Sequence, residues 1–115
     1  QFYSELFKDF PGFTLHTEPN DDYFSNHWLS VVTVDPDCGI TAEAIRLAAQ
    51  KENIETRPIW KPMHLQPVFQ NSLYFGSDFA AKCFETGLCL PSGSNLSEND
   101  FERIHHLFTA IFSLS

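Results

Sequence analysis

Side chains that combine positive or titratable charge with apolar surface are concentrated between positions 57 and 65. They are Arg57, Trp60, Lys61, Met63, His64 and Leu65. The whole chain has only 7 Lys and Arg residues, so this local concentration is informative. Because cations bind anionic oxygens and aromatic surface suits a ring, the segment predicts a site for an anionic ligand that carries a ring. The alternative is a proline-rich connector packed on its own core, with Trp60 buried and Arg57 paired to a carboxylate.

The other titratable residues form no recognisable catalytic or metal-binding pattern. His105 and His106 are adjacent, and neighbouring side chains on a helix diverge by about 100°, so the two cannot face one ion together. Asp35 and Asp37 flank a proline and lack the rest of a calcium loop, which favours a role in a turn. Zinc-type Cys/His spacings and glycine-rich phosphate motifs are absent from the sequence. The residues therefore predict no metal site and no catalytic residue.

The three cysteines, Cys38, Cys83 and Cys89, are odd in number and contain no CxxC pair. This usage is not a disulfide framework, and it indicates free thiols in a reducing, cytoplasmic setting. Cys83 and Cys89 lie in apolar company, which predicts buried and unreactive thiols.

Four extended segments are predicted to position these residues. Residues 27–35 (HWLSVVTVD) are rich in β-formers and apolar on both faces, which predicts a central strand. Shorter strands are predicted at residues 13–16, 54–57 and 88–91. Pro58, Pro62 and Pro67 exclude a regular helix or central strand from the segment between them, so it is expected to be a shaped, extended loop.

Helices are indicated by apolar residues spaced at three and four. Residues 1–10 show this spacing and end at Pro11-Gly12. A second helix is predicted from an N-cap at Thr41 to a left-handed stop at Asn53. A third is expected over residues 79–85, capped by Ser77 or Asp78, with Gly87 as its stop. A fourth follows Ser97. These elements predict an α/β (α+β) fold, a small antiparallel or mixed sheet with helices on one face.

The composition limits the class of protein. A chain of 115 residues with 15% aromatic residues is expected to be one folded domain and not a disordered segment. The formal net charge of −8 argues against unaided binding to nucleic acid or to an anionic membrane surface. No apolar run approaches the ~18–20 residues of a membrane span.

Residues 55–69 (ETRPIWKPMHLQPVF) closely resemble a segment near the C-terminus of the DegT/StrS-type sugar-nucleotide aminotransferases, which are fold-type-I pyridoxal-phosphate enzymes. Residues 25–29 are similar to the opening of the family's small-domain strand, and residues 40–54 to its helix and the turn that follows. Residues 88–91 look like its LSLP element, and residues 96–100 like the start of its final helix. The resemblance covers essentially the whole chain in the family's order. The tryptophan-lysine form of the loop is most like members that act in pilin-glycan, lipopolysaccharide or other surface-glycan pathways.

The resemblance implies that residues 1–115 are the C-terminal small domain of a longer enzyme, with residues 1–10 the end of a connecting helix. Such an enzyme uses pyridoxal phosphate to move an amino group, from glutamate, onto a keto-sugar nucleotide. The implied partners are the missing large domain and a second subunit in a homodimer. The family's Schiff-base lysine and its cofactor-pairing aspartate belong to the large domain. The lysines of this chain do not sit in that lysine's context, so the fragment alone is expected to bind no cofactor and to be inactive; they are Lys8, Lys51, Lys61 and Lys82.

The resemblance also implies a role for the loop. The histidine of the family's P-M/L-H motif lies near the active site, often that of the partner subunit, and it corresponds to His64. Its imidazole can hydrogen-bond a sugar hydroxyl or a diphosphate oxygen, which is recognition and not proton transfer. Part of the aromatic content is expected to serve a domain or subunit interface. Two alternatives remain: a non-catalytic regulatory or ligand-binding module of the same fold, and a self-standing interaction domain without an exposed apolar face.

Overall fold

The computed structural model describes residues 1–113 and contains one four-stranded sheet with four α-helices. The strand order is β1-β2-β4-β3, and every neighbouring pair is antiparallel. The strands are β1 (Phe13–Leu15), β2 (Ser30–Val34), β3 (Arg57–Pro58) and β4 (Gly87–Leu90). The helices are α1 (Phe2–Leu6), α2 (Ala42–Lys51), α3 (Phe79–Thr86) and α4 (Glu98–Phe112). This architecture confirms the predicted fold class, and β2 has the central place predicted for it.

The hydrophobic core lies on one face of the sheet, called here the inner face. The register pairs Val32 of β2 with Leu88 of β4 and with Leu15 of β1, so these side chains point to the same side. Helices α1, α2 and α4 supply the rest of the core. Its buried members are Tyr3, Leu6, Phe7, Val32, Val34, Ala42, Ile45, Ala49, Ile54, Leu88, Leu90, Ile104, Leu107, Phe108 and Ile111. Helix α3 contributes no buried side chain.

The opposite side of the sheet, the outer face, carries the alternate residues. Thr33 pairs with Gly87 and Val31 with Cys89, and Cys89 also pairs with Arg57. Gly87 is constrained by close packing: a Cβ built there would lie 2.6 Å from the carbonyl oxygen of Cys83 and would collide with the side chain of Ile59. The residues that follow β3 and the end of α3 therefore approach the sheet from its outer face, opposite the main helices.

Local capping bonds explain where two helices begin. The Thr41 hydroxyl accepts a hydrogen bond from the Ala44 amide at 3.1 Å, as predicted for the N-cap of α2. At the start of α4 the Ser97 hydroxyl accepts from the Asp100 amide, while the Asp100 carboxylate accepts from the Ser97 amide at 2.9 Å. This reciprocal pair is a capping box. Asn53 has a φ of 53°, which confirms the predicted left-handed stop after α2.

Several predicted boundaries are wrong, for identifiable reasons. The central strand starts at Ser30 and not at residue 27, because His27 has a φ of 51° and the Trp28 amide donates to the Asn26 side chain. The strand predicted at 54–57 is reduced to Arg57–Pro58, because the Ile54 amide still bonds the Ala49 carbonyl of α2 at 2.9 Å. The N-terminal helix ends at Leu6 and is followed by a 3₁₀ turn, Phe7–Asp9.

Of the two caps predicted for the third helix, only Ser77 bonds the first amide of the helix, and the burial of this helix differs from the prediction. Asp78 occupies the N-cap position of α3, but its carboxylate makes no capping bond and pairs with Lys82 at 2.8 Å. The Ser77 hydroxyl instead accepts from the Phe79 amide at 3.3 Å. Cys83 is predicted to be buried, but it is only half-buried. Cys89 is buried as predicted, and burial raises the pKa of its thiol. Among residues 1–113, no helix is long and apolar enough to cross a membrane.

Candidate functional site

The predicted site residues lie on β3 and on the segment that joins it to α3, called here the 59–78 loop. Two 3₁₀ turns, Met63–Leu65 and Pro67–Phe69, shape the loop. The Gln66 side chain fastens the first turn by donating to the Lys61 carbonyl at 3.1 Å. Pro62 precedes the first turn and Pro67 begins the second. At these positions a backbone N–H has no partner within the turn, so its absence in proline removes no hydrogen bond. As expected, the three prolines produce a shaped segment that is neither a regular helix nor a central strand.

Arg57 projects from β3, an edge strand, and its side chain is exposed. Its guanidinium donates from Nε to the Glu55 carboxylate at 2.7 Å. One element of the connector alternative, a carboxylate partner for Arg57, is therefore present. Both side chains of this pair are about three-quarters exposed, so the pairing is weak and a ligand anion can replace Glu55.

Trp60 contradicts the other element of the connector alternative, because 63% of its surface is exposed. Its indole faces that of Trp28, with ring centroids 5.9 Å apart and an interplanar angle of 38°. Trp28 is 70% exposed, and the sequence pattern predicts it in a strand and not in the site. The two indoles together form an open aromatic surface at the start of the loop.

His64 is half-buried and stacks on Tyr74, with ring centroids 3.9 Å apart and an interplanar angle of 27°. No hydrogen bond or ion pair from another residue in 1–113 occupies its ring nitrogens. One face of the imidazole is therefore fixed against an aromatic ring, while its polar edge stays available. Sequence reasoning missed Tyr74, because a stacking contact between residues in different parts of a loop leaves no local pattern.

The remaining predicted residues are exposed on the same loop. Met63 is 60% exposed and Leu65 is 39% exposed, and the Gln66 amide lies 3.6 Å from the Met63 sulfur. Lys61 forms no ion pair with any residue in 1–113. No hydrogen bond links Arg57, Lys61 and His64 to each other within that range. The structure thus gathers Met63, His64 and Leu65 in one 3₁₀ turn and leaves the two cations separate from them.

Other large apolar side chains of the surface are also left uncovered. They belong to the segment before β2 and to the 59–78 loop with the start of α3, and they include Tyr23 (63% exposed), Phe24 (93%), Val68 (78%), Leu73 (88%), Phe75 (86%) and Phe79 (66%). Exposed apolar side chains at this density are typical of a surface that another protein surface covers. This agrees with the expectation that part of the aromatic content serves an interface. It argues against a self-standing domain without an exposed apolar face.

None of the other titratable groups in residues 1–113 forms a comparable site. No group of three or more His, Cys, Asp or Glu side chains there can hold a metal ion. His27 lies 3.7 Å from Glu18, whose pKa is lowered chiefly by backbone hydrogen bonds, including the Ser25 amide. The rings of His105 and His106 on α4 lie with centroids 6.3 Å apart and nearly perpendicular planes.

Comparison with known proteins gives consistent results. A profile of the DegT/DnrJ/EryC1/StrS aminotransferase family matches residues 1–109. The chain is 39% identical over 92 residues to EpsN of Bacillus subtilis, whose name describes a pyridoxal phosphate-dependent aminotransferase. It is 27% identical over 90 residues to GDP-perosamine synthase of Caulobacter vibrioides. Each match covers 76% of this chain, but only 23% and 24% of the two relatives, so the chain spans about a quarter of their length.

Solved structures share the fold. Helicobacter pylori PseC, an aminotransferase of pseudoaminic acid biosynthesis, superimposes with a TM-score of 0.80 at 23% identity, covering 99% of this chain and 31% of PseC. The aminotransferase TlmJ of Streptoalloteichus hindustanus gives a TM-score of 0.80 at 20% identity, with coverage of 97% and 29%. The agreement of profile, sequence relatives and fold shows that the chain belongs to the DegT/DnrJ/EryC1/StrS aminotransferase family.

Proposed function

We propose that this chain is the C-terminal small domain of a pyridoxal-phosphate-dependent aminotransferase that acts on a keto-sugar nucleotide. Family membership over residues 1–109 supports the reaction class, and the length of the relatives supports the domain assignment. The names of two similar proteins, GDP-perosamine synthase and PseC, concern nucleotide-linked or acidic sugars. The amino donor is glutamate, the product enters a surface glycan such as a pilin glycan or lipopolysaccharide, and the enzyme works in the cytoplasm.

The chain's own residues do not fit the cofactor. All four lysines are exposed, and two of them are engaged in ion pairs, Lys8 with Glu5 at 2.7 Å and Lys82 with Asp78 at 2.8 Å. Asp78 raises the pKa of Lys82 by accepting its hydrogen bond, the opposite of what a nucleophilic amine needs. When bound to the large domain, pyridoxal phosphate supplies an electron sink for amino transfer. The 115-residue chain alone is therefore inactive.

The contribution of this domain is substrate recognition through the 59–78 loop. The recognition role rests on the environment of His64. Its ring stacks on Tyr74, and neither of its ring nitrogens forms a hydrogen bond within residues 1–113. A neutral imidazole can donate to a sugar hydroxyl or accept from one, and an imidazolium can donate to a diphosphate oxygen. Arg57 of β3 and Lys61 of the loop supply positive charge, and the exposed side chains of Trp60, Met63 and Leu65 supply apolar surface. Groups that hold a substrate in register accelerate a reaction by orientation.

The uncovered apolar side chains of the loop pack against the large domain and a second subunit. Trp60 and Phe75 of the loop, and Trp28 before β2, are mostly exposed and add little to the core of the small domain. A homodimer in which each loop reaches the neighbouring active site gives these side chains a partner and brings His64 to the sugar nucleotide.

The proposal is tested in the full-length enzyme that contains this domain. His64→Ala should raise KM for the keto-sugar nucleotide about tenfold or more, the loss expected for a hydrogen bond to a charged group, while the cofactor absorbance stays unchanged. His106→Ala is the matched control, because His106 is exposed on α4, away from the loop. Unchanged KM and kcat in the His64 variant would refute the recognition role. If the full-length protein lacks the family's Schiff-base lysine and cofactor-pairing aspartate, the chain would instead belong to a non-catalytic module of the same fold.

A further inference from the structure

We propose that Tyr74 is a positioning residue that holds the imidazole of His64 in its ligand-binding orientation; this rests on the recognition role proposed for His64. The two rings lie with centroids 3.9 Å apart at 27°. A near-parallel arrangement at this distance covers one face of the imidazole and leaves its edge, with Nδ1 and Nε2, uncovered. Since hydrogen bonds to imidazole form in the plane of the ring, stacking selects the directions in which His64 can meet a ligand.

Tyr74 is itself anchored at its other end. Its hydroxyl donates a short hydrogen bond to the Ser77 carbonyl. The Ser77 hydroxyl in turn accepts from the Phe79 amide at 3.3 Å, at the first residue of α3. The phenol therefore connects the 3₁₀ turn that carries His64 to the start of a helix.

Gly76 makes this arrangement possible. Its φ of 143° lies in a region that residues with a side chain rarely adopt. A Cβ at this position would lie 3.3 Å from the Tyr74 hydroxyl oxygen and 3.6 Å from the ring carbon that bears it. The backbone at Gly76 can approach the phenol ring of Tyr74 closely because position 76 carries no side chain. The sequence at 74–77 is thus built around the placement of the tyrosine ring.

Burial alone does not account for Tyr74. Its side chain is 48% exposed, in a stretch where every residue from 71 to 80 is exposed, so it adds little to the core. The described contacts of its ring and hydroxyl are directed at His64 and Ser77. An exposed histidine without such a contact samples several rotamers, and ordering it on binding weakens the affinity for a ligand. Stacking on Tyr74 orders the His64 side chain before the ligand binds, so binding loses less conformational entropy.

Nuclear magnetic resonance on the 115-residue chain tests the contact directly. The ring-current field of Tyr74 should shift the His64 ring protons away from their positions in the urea-unfolded chain. Tyr74→Phe keeps a ring and should preserve most of this shift, whereas Tyr74→Leu should abolish it without changing the amide spectrum of the core. Unchanged His64 resonances in Tyr74→Leu would overturn the proposal.

Kinetics on the full-length enzyme test the consequence. Tyr74→Leu should lower kcat/KM for the sugar nucleotide about tenfold, in the range expected for a mispositioned binding group, and Tyr74→Phe should recover most of the loss. Because Tyr74 acts through His64, the double variant His64→Ala/Tyr74→Leu should be no worse than His64→Ala alone. Losses that multiply in the double variant would overturn the positioning role. If His64→Ala itself has no effect, the recognition proposal fails, while the resonance experiment still reports whether the rings stack.

Discussion

Trp28 and Trp60 face each other across the start of the 59–78 loop, with ring centroids 5.9 Å apart, although they come from different segments of the chain. They are the chain's only tryptophans, so its indole fluorescence reports on this one contact. Both are more than half exposed. The pair therefore gives a direct measurement of whether the loop surface is covered in the larger protein.

We expect acrylamide to quench the fluorescence of the 115-residue chain strongly, because solvent reaches both indoles. In the full-length enzyme, quenching of these two residues should be much weaker if the proposed large domain and second subunit cover the loop. Tryptophans outside this domain would first be replaced by phenylalanine, so that the same pair is compared. Equal quenching in the two proteins would contradict the interface proposed for the loop.

Two leucines offer a matched test of where the core lies. Leu88 is 1% exposed on the inner face, whereas Leu73 is 88% exposed on the loop. Leu88→Ala should lower the free energy of unfolding by about 2–5 kcal/mol, because it removes a buried side chain and leaves a cavity. Leu73→Ala should change it by no more than about 0.5 kcal/mol. Urea denaturation followed by far-ultraviolet circular dichroism measures both, and a comparable loss in the two variants would place the core elsewhere.

Alanine substitutions at Gly12 and Gly39 can distinguish the effect of backbone strain on stability from the effect of a steric collision. Their φ values are 85° and 84°, so alanine is strained to a similar extent at both. A Cβ at Gly12 would lie 2.5 Å from the Cys38 Cβ, whereas a Cβ at Gly39 meets nothing within 4 Å. Gly39→Ala should cost about 1 kcal/mol of stability, and Gly12→Ala clearly more. Equal thermal midpoints for the two variants would show that the turn at Pro11-Gly12 can move away from Cys38.

The capping box of α4 predicts a pH dependence of stability. The Ser97 hydroxyl, followed by the Ser97 amide, lowers the pKa of the Asp100 carboxyl by donating to it. A carboxyl with a lowered pKa in the folded state stabilises the fold above its unfolded pKa, and the stabilisation is lost as the pH falls through the folded pKa. Asp100→Asn should therefore be less stable than the parent at pH 7, with the difference shrinking towards pH 3.

Urea midpoints measured across that range determine the difference at each pH. Ser97→Ala removes the principal hydrogen-bond donor, so the pH dependence that Asp100 contributes should be reduced in this background. A parent–variant gap that stays constant from pH 7 to pH 3 would be inconsistent with the capping box as the source.

The parts of the fold that the sequence predicts correctly are those determined by neighbours. Thr41 and Ser97 cap their helices through amides three residues further along, and that spacing is visible in the sequence. The central strand is recognisable because residues 27–35 are rich in β-forming residues that are apolar on both faces, and the structure buries Val32 and Val34 of this run. The start of that strand is not recognisable, because the Trp28 amide donates to the Asn26 side chain and the regular strand begins only after this bond.

The sequence indicates where the candidate site lies, but it does not indicate the contacts within that site. A cluster of unusual residue types marks the loop, and His64 is singled out by its resemblance to a family motif. Neither signal identifies Tyr74 or Trp28, because their contacts join residues at distances that only the folded loop determines. Composition also could not show that Trp60 is exposed, since tryptophan contributes both to cores and to interfaces.

The two edges of the sheet bear on how copies of the domain can aggregate. Edge strand β1 has three residues and β3 has two, and Pro58 of β3 has no N–H to offer a neighbouring strand. Fibril growth by strand addition needs a row of free backbone donors and acceptors, which such short edges do not provide. Molecules that meet through their exposed aromatic side chains therefore have no long backbone edge to pair within residues 1–113. Their association should stay reversible on dilution and should not progress to cross-β fibres.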